Sequence, residues 1–121
     1  MSIDVLTIDF NHKDSPAKFV DSLKSSGFAI IKNHPIDSDL IDNVYEDWHS
    51  FFNNSNKFDY TFDPKGQDGY FPYLTENAKN SNIKDLKEFY HIYPWGKFPD
   101  TISNSTMILY NQIIDLGTKL L

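Results

Sequence analysis

Metal-binding chemistry in this sequence rests on four histidines and on carboxylates, because cysteine is absent. His12 and Asp14 have the H-x-D spacing of two ligands in a facial iron triad. They lie in a polar stretch before the first predicted helix, whereas such a triad needs a third ligand on a rigid neighbouring strand. We therefore favour an exposed turn for this pair. A small metal enzyme that uses His12, Asp14 and another histidine is kept as the third of three functional hypotheses.

The other three histidines fall in different local contexts. His34 precedes Pro35 at the end of a predicted strand, which favours a turn held by its side-chain hydrogen bonds over a ligand. His49 follows Trp48 on the polar side of a predicted helix, where exposure is expected. His91 lies within a predicted strand and faces either an active-site cavity or a packed interior, and both interpretations stay open.

The carboxylates are mostly aspartates at predicted caps and turns, where they bond to backbone N–H groups. Five acidic residues lie on the second predicted helix. We interpret them as solvated side chains that complement the helix dipole, and not as a catalytic acid–base pair: Asp37, Asp39, Asp42, Glu46 and Asp47. The sequence contains no G-x-G-x-x-G, Walker, H-E-x-x-H or G-x-S-x-G motif. The residues themselves therefore identify no catalytic, metal or cofactor site.

Composition and net charge limit the kinds of molecule that this chain is expected to bind. The 121 residues suffice for one domain, and 11 cations against 17 carboxylates give a net charge of −6. This balance argues against nucleic acid and against anionic membrane surfaces. Every cation is a lysine, so the sequence offers no guanidinium clamp for a carboxylate. The sequence shows no signal peptide and no apolar run of about 20 residues, and it lacks cysteine; a cytoplasmic location is expected.

Periodicity and turn residues predict three helices and three strands. The helices are expected at Ser15–Ser26, from Asp37 to about Asn53, and from Ser103–Ser105 to the end of the sequence. The strands are expected at Ile3–Phe10, Phe28–Lys32 and Lys87–Tyr93, the second of them buried. A long irregular loop is expected over residues 54–84, and its aromatic side chains suggest that it packs on a neighbouring surface.

Several stretches, in order and spacing, resemble one known family. They are I-D-V-L-T-I-D-F from Ile3, G-F-A-I-I-K-N-H-P-I from Gly27, G-Y-F-P-Y-L-T-E-N-A-K from Gly69 and D-L-K-E-F-Y-H-I-Y from Asp85. Together they look like the N-terminal region of the isopenicillin N synthase-like, 2-oxoglutarate- and Fe(II)-dependent oxygenases. Pro35 departs from the family, which usually has glycine after Asn-His, so the turn there is expected to differ.

The resemblance implies an α+β fold whose strands and helices flank a double-stranded β-helix, or jelly-roll, core. That core would be missing from this chain, because residues 1–121 would form the N-terminal domain and stop within a long helix. The family holds iron with H-x-D and a distant histidine, and 2-oxoglutarate with an arginine and a serine, all beyond the matched region. The resemblance therefore assigns no metal or cofactor residue here, and neither Fe(II) nor 2-oxoglutarate is expected to bind this chain.

The implied parent enzyme would use Fe(II) and 2-oxoglutarate to oxidise a small organic substrate. Within it, Tyr70, Phe71, Tyr73 and His91 would be placed near the substrate entrance. The alternative for the loop aromatics is hydrophobic cover for the missing core. The first functional hypothesis is thus an oxygenase part that is inactive by itself and partners a C-terminal catalytic core in cis. The second is a stand-alone interaction or binding domain derived from that family.

Overall fold

The computed structural model describes residues 4–74, 79–80, 82–83 and 86–121. In these residues four short strands and three helices follow one another along the chain: β1 (Thr7–Asp9), α1 (Ser15–Ser26), β2 (Ile30–Lys32), α2 (Ser38–Phe52), β3 (Gly69–Phe71), β4 (Phe89–His91) and α3 (Ser105–Leu120). The chain divides into two compact units. Unit 1 comprises residues 1–38 and 109–121, and unit 2 comprises residues 39–108.

Unit 1 contains a strand–helix–strand arrangement. β1 and β2 pair in parallel with Ile8 opposite Ile31, which requires the crossover that α1 provides. Pro16 lies at the start of α1, where its missing N–H costs no hydrogen bond. Gly27 follows the last helical residue at φ 81° and donates its N–H to the Leu23 carbonyl. The predicted helix and its glycine stop are therefore confirmed.

A buried serine connects α1 to both strand entrances in unit 1. The Ser22 side chain is fully buried, and its hydroxyl donates to the Phe28 carbonyl at 2.6 Å. The same oxygen accepts the N–H of Leu6 at 3.2 Å. A hydroxyl is suited to this place because it both donates and accepts.

The strands of unit 1 are shorter than predicted. β2 covers Ile30–Lys32, and Phe28 and Ile30 are 70% and 53% exposed, so the prediction of a buried strand there was wrong. The Phe28 carbonyl bonds to the hydroxyls of Ser22 and Ser26 instead of a neighbouring strand. β1 likewise covers only Thr7–Asp9, and Ile3 lies outside the described residues.

Unit 2 is built on the apolar face of α2. Phe51, Tyr70 and Ile102 form its buried core, and Trp48 and Phe98 pack against them. The Trp48 indole N–H donates to the Thr106 hydroxyl in the first turn of α3 at 2.9 Å. The predicted amphipathic helix is confirmed, because its apolar positions meet this core.

The predicted loop of residues 54–84 contains regular structure. Ser55–Tyr60 forms a 3-10 helix, and β3 pairs antiparallel with β4 with Tyr70 opposite Tyr90. Three-residue strands among aspartates, prolines and glycines give too short an alternation to be recognised from sequence. The structure thus confirms a mixture of helices and small sheets.

Candidate functional site

The β3–β4 pair places aromatic rings on two opposite faces. On one face Tyr90 packs on Trp48 and Phe51 of α2, at ring-centre distances of 4.9 and 5.6 Å. On the other face Phe71 stacks on Phe89 at 4.6 Å and lies 4.6 Å from the ring of His91. This is the alternation of a strand pair. The hairpin is thus anchored in unit 2 by one face and holds His91 on the other.

Gly69 permits the close approach of β3 to the preceding segment. Its φ is 112°, a conformation that side chains rarely adopt. A Cβ atom here would lie 2.5 Å from the Tyr60 carbonyl oxygen and 3.1 Å from the Phe62 Cα. The next residue, Tyr70, accepts the N–H of Phe62 at 2.9 Å. Glycine is therefore required where the Gly-Tyr pair begins the strand.

A partly buried ion pair lies at the edge of the hairpin. Glu88, directly before β4, accepts from the Lys57 ammonium at 2.9 Å and from the Tyr70 hydroxyl at 2.6 Å through the same oxygen, Oε2. The side chains of Lys57 and Glu88 are 15% and 13% exposed. The Lys57 ammonium also donates to the Phe52 carbonyl at the end of α2, at 2.8 Å. One carboxylate thus joins α2, β3 and β4.

Burial and hydrogen bonding act together on the pKa values of Glu88, Lys57 and Tyr70. Burial raises the pKa of the Glu88 carboxyl, but the hydrogen bonds from Tyr70 and Lys57 and the Lys57 charge outweigh it and hold that pKa below its usual value. The hydrogen bond to Glu88 raises the pKa of Lys57. Burial, followed by the Glu88 carboxylate, raises the pKa of Tyr70. At neutral pH the cluster is therefore the Glu88 carboxylate, the Lys57 ammonium and the neutral Tyr70 phenol.

A second buried carboxylate shapes the loop after β4. Asp68 is 7% exposed and accepts the N–H of Lys97 at 2.7 Å. A Cβ atom at Gly96 would lie 2.7 Å from the Asp68 Cβ, so glycine gives this carboxylate its space. The His91 Nδ1 lies 3.1 Å from the Gln67 carbonyl oxygen. Asp68 and His91 are thus both tied to the backbone of neighbouring loops.

The four residues predicted for a substrate entrance lie in different environments. Tyr70 and Phe71 are each 1% exposed, and their rings belong to the two faces of the hairpin. Tyr73 is 53% exposed, and His91 is partly buried between Phe71, Phe89 and Tyr93. Tyr73 and His91 thus retain accessible surface in this unit. The role of all four at an entrance stays a prediction.

The described residues do not fit an iron centre. His12 Nδ1 and Asp14 Oδ2 are 3.6 Å apart with both side chains about half exposed, and the Asp14 N–H donates to that same Nδ1. No group of three histidine or carboxylate side chains able to hold a metal ion occurs in the part of the chain described by the structure. The pair forms the exposed turn that was predicted, and this chain supplies no described donor set for Fe(II).

Two other histidine predictions are confirmed. The His34 Nδ1 accepts the N–H of Ile36 at 3.3 Å, which closes the turn after β2. The residue in this turn with positive φ is Asn33, at 57°, ahead of Pro35. His49 is exposed on α2 and lies 3.4 Å from the Asn53 amide nitrogen.

Sequence reasoning missed the Lys57–Glu88 pair. Glu88 lies in the predicted strand Lys87–Tyr93, yet its side chain is only 13% exposed and is paired with a lysine. Lys57 lies 31 positions away in a stretch predicted as irregular. The available signal was a carboxylate directly before an aromatic strand, where burial demands a cation or hydroxyl partner.

Comparison with known proteins now gives the family. A family model described as "non-haem dioxygenase in morphine synthesis N-terminal" matches residues 3–115. The chain belongs to this family. The oxygenase resemblance drawn from the motifs is thereby confirmed.

Among the described residues, no helix is long and apolar enough to cross a membrane.

Relatives of this family member are larger proteins. "Jasmonate-induced oxygenase 1" of Arabidopsis thaliana is 23% identical over 98% of this chain, which spans 32% of that protein. A crystal structure named "Putative oxygenase from Shewanella oneidensis" is 37% identical with a TM-score of 0.83; it matches 100% of this chain, which spans 41% of it. Neurospora crassa T7H, solved with alpha-KG and thymine, shares the fold at 18% identity and a TM-score of 0.71, over 96% of this chain and 46% of its own. The chain thus spans less than half of each relative.

Proposed function

We propose that this chain is the N-terminal, non-catalytic domain of a non-haem Fe(II)- and 2-oxoglutarate-dependent oxygenase that acts on a small organic substrate. The family match over residues 3–115 is the observation that carries the proposal. The similarity to "Putative oxygenase from Shewanella oneidensis" supports it further, at 37% identity. Domain boundaries of 1–121 and a jelly-roll core in cis are part of the same proposal, supported by the greater length of the relatives.

The iron and the co-substrate belong, in this proposal, to the part of the enzyme outside this chain. Support comes from the donor chemistry. His12 and Asp14 form an exposed turn without a third described ligand, and the sequence has no arginine to pair with a carboxylate. What this chain contributes is a rigid aromatic hairpin, β3–β4, fixed on α2, with Tyr73 and His91 as its accessible members. Such rings orient an organic substrate and exclude water.

A binding experiment tests whether this chain by itself binds Fe(II) and 2-oxoglutarate. Purified chain is titrated anaerobically with Fe(II) and then with 2-oxoglutarate by calorimetry, and succinate formation is measured in air. We expect no saturable binding and no succinate above a metal-only control. Succinate formation by wild-type chain that disappears in His12→Ala would contradict the proposal and would favour a metal site at the H-x-D turn.

Sequencing the transcript past the codon for Leu121 tests the presence of the core. An in-frame continuation with H-x-D, a later histidine and R-x-S would support the oxygenase. A stop codon directly after Leu121 would contradict it. The alternative, a stand-alone interaction domain of the same family, would then be tested from its exposed apolar side chains, such as Phe28 and Trp95 at 70% and 71% exposure.

A further inference from the structure

The two nitrogen atoms of the His91 ring lie in different environments. Nδ1 lies 3.1 Å from the carbonyl oxygen of Gln67. Because a carbonyl oxygen only accepts hydrogen bonds, this contact requires a hydrogen on Nδ1. In a neutral imidazole the other nitrogen is then an acceptor, so Nε2 carries a lone pair. Within the described ranges of the chain, Nε2 has no hydrogen-bond partner.

Neighbouring rings hold the imidazole of His91 in place. Its centre lies 4.6 Å from the ring of Phe71 and 4.9 Å from that of Phe89. These two phenylalanines stack on each other at 4.6 Å, and Phe71 is 1% exposed. His91 itself stays partly exposed. A packed wall on one side and the Gln67 carbonyl at Nδ1 therefore fix the direction of the Nε2 lone pair.

Further aromatic rings continue from His91 towards solvent. The ring of Tyr93 lies 6.1 Å from the imidazole, and Trp95 stacks on Tyr93 at 4.7 Å with 21° between the two planes. Trp95 is 71% exposed. Aromatic side chains of this kind attract planar rings by stacking. The surface next to the unpaired acceptor is thus suited to a planar ligand.

We propose that His91 is a specificity-determining residue: the Gln67 carbonyl holds its hydrogen on Nδ1, and its Nε2 accepts a hydrogen bond from an O–H or N–H group on a planar ring of the substrate. The inference rests on the proposed function in treating His91 as an entrance residue. Tyr93 and Trp95 give that ring a stacking surface beside the acceptor. A ring without such a donor would leave the Nε2 lone pair unpaired and is therefore bound less tightly.

The first test determines which nitrogen of His91 carries the hydrogen. Histidines of the chain are labelled with nitrogen-15, and long-range proton–nitrogen spectra are recorded in mildly alkaline solution, where a free imidazole is neutral. We expect a protonated Nδ1 and an unprotonated Nε2 in His91. His34 is the matched control, because its Nδ1 accepts the Ile36 N–H at 3.3 Å and should be the unprotonated nitrogen. A protonated Nε2 in neutral His91 would overturn the inference.

The second test compares phenol with anisole, which have the same planar ring with and without an O–H donor. Each compound is titrated into the labelled chain. Phenol should move the Nε2 signal of His91 saturably, and anisole should move it several-fold less. The indole signal of Trp48, whose N–H is bonded to the Thr106 hydroxyl, is the internal control and should stay unchanged. An equal shift with both compounds, or no saturable shift with phenol, would contradict the proposal.

The third test uses His91→Phe, which keeps an aromatic ring beside Phe71 and Phe89 and removes both nitrogens. Binding is followed at the exposed Trp95 indole. Loss of one neutral hydrogen bond should weaken phenol binding by about 2- to 13-fold and abolish the preference for phenol over anisole. The control His49→Phe, at an exposed position of α2, should keep that preference. A folded His91→Phe protein that still prefers phenol would refute the assignment; should this variant unfold, the two measurements on the unaltered chain decide.

None of these measurements involves iron, 2-oxoglutarate or turnover. If the chain proves not to be part of an oxygenase, the tautomer of His91 and its preference for phenol still stand or fall by these spectra. If the preference fails while a longer transcript encodes the core, the proposed function stands and the substrate is selected by other residues.

Discussion

Units 1 and 2 bury very different amounts of apolar surface. Among the described residues, the buried hydrophobic side chains of unit 2 are Phe51, Tyr70, Phe71 and Ile102, whereas unit 1 buries Ile8 alone. Unit 1 instead has an open groove of about 390 Å³, lined by apolar side chains that include Phe10, Phe19 and Val20. Its central contact is the Ser22 hydroxyl.

The two units therefore depend on different interactions. Unit 2 is stabilised by interlocked aromatic rings, such as Trp48 on Phe51 at 5.2 Å. Unit 1 depends on a short parallel ladder and on hydrogen bonds that fix the helix to it. Apolar truncations should therefore affect unit 2 most, and loss of hydrogen bonds should be most visible in unit 1. Both tryptophans, Trp48 and Trp95, lie in unit 2, so their fluorescence reports that unit.

Phe51→Ala should give the largest effect. The ring is 2% exposed and contacts Trp48, Tyr70 and Tyr90, so its removal leaves a cavity in the core of unit 2. We expect the free energy of unfolding to fall by about 3–5 kcal/mol. The measurement is urea denaturation followed by tryptophan fluorescence.

Tyr45→Ala is the matched control on the same helix. Tyr45 is 74% exposed, so truncation should change the free energy of unfolding by less than about 0.5 kcal/mol. Equal losses for Phe51→Ala and Tyr45→Ala would contradict the placement of the core on the Phe51 side of α2.

The same glycine-to-alanine change should have opposite signs in the two units. In Gly69→Ala the positive φ alone costs about 1–3 kcal/mol, and the new Cβ meets the Tyr60 carbonyl. Gly117 lies in α3, where an added Cβ would meet no atom within 4 Å beyond its chain neighbours and the nearby backbone of its own helix, so Gly117→Ala should stabilise the helix by up to about 1 kcal/mol.

Thermal unfolding of both variants, followed by circular dichroism and by tryptophan fluorescence, checks this pair. Gly69→Ala should lower the fluorescence midpoint, and Gly117→Ala should raise the helical signal. A Gly69→Ala protein with an unchanged fluorescence midpoint would refute the close approach of β3 to the Tyr60–Phe62 segment.

The helices were predictable because their signals are local. Pro16 and Gly27 mark the two ends of α1 within twelve or so positions, and the apolar face of α2 repeats at helical spacing. The short pairing of β3 with β4 was not predictable. Its register depends on Gly69 approaching Tyr60 and on contacts across 20 residues, which no local pattern contains.

The candidate site was only partly predictable for the same reason. The Gly-Tyr-Phe stretch drew attention to Tyr70, Phe71 and Tyr73 through aromatic content and family resemblance. Sequence gave no basis for pairing Lys57 with Glu88, since the two come together only when α2 and the hairpin pack. The role of Tyr73 and His91 at a substrate entrance stays a prediction.

Ser22→Ala should loosen unit 1 without affecting unit 2. The Leu6 N–H loses its partner, whereas the Phe28 carbonyl keeps the Ser26 hydroxyl at 3.1 Å. Unpairing a partly buried group costs about 1–3 kcal/mol, which corresponds to exchange about 5- to 150-fold faster at the amide of Ile30, whose N–H donates to the Leu6 carbonyl. Ser25→Ala, which removes a longer bond of 3.3 Å to the Ser22 carbonyl, should change this rate less. A shifted tryptophan midpoint in Ser22→Ala would mean that the two units do not respond separately.

The smallest effect should be a pH dependence of the free energy of unfolding. In high salt we expect Glu88 to contribute to it more than Asp9. Both carboxyls have a pKa lowered in the fold, so each stabilises above its ordinary pKa and loses that contribution as pH falls through the folded value. Asp9 is partly exposed, and it owes its lowered pKa first to the Asn11 N–H, then to Asn33 and to charges that salt screens. Glu88 is shielded within unit 2, so its contribution should persist in high salt.

Urea midpoints from tryptophan fluorescence between about pH 6 and pH 3 in high salt check this difference. Glu88→Gln should flatten the acid side of the profile because the group that must be protonated is gone. Asp9→Asn lies in unit 1 and should leave the profile as it is in the wild type. An acid profile of equal slope in Glu88→Gln and wild type would show that the Lys57–Glu88 pair does not stabilise unit 2, and the aromatic core alone would then explain its stability.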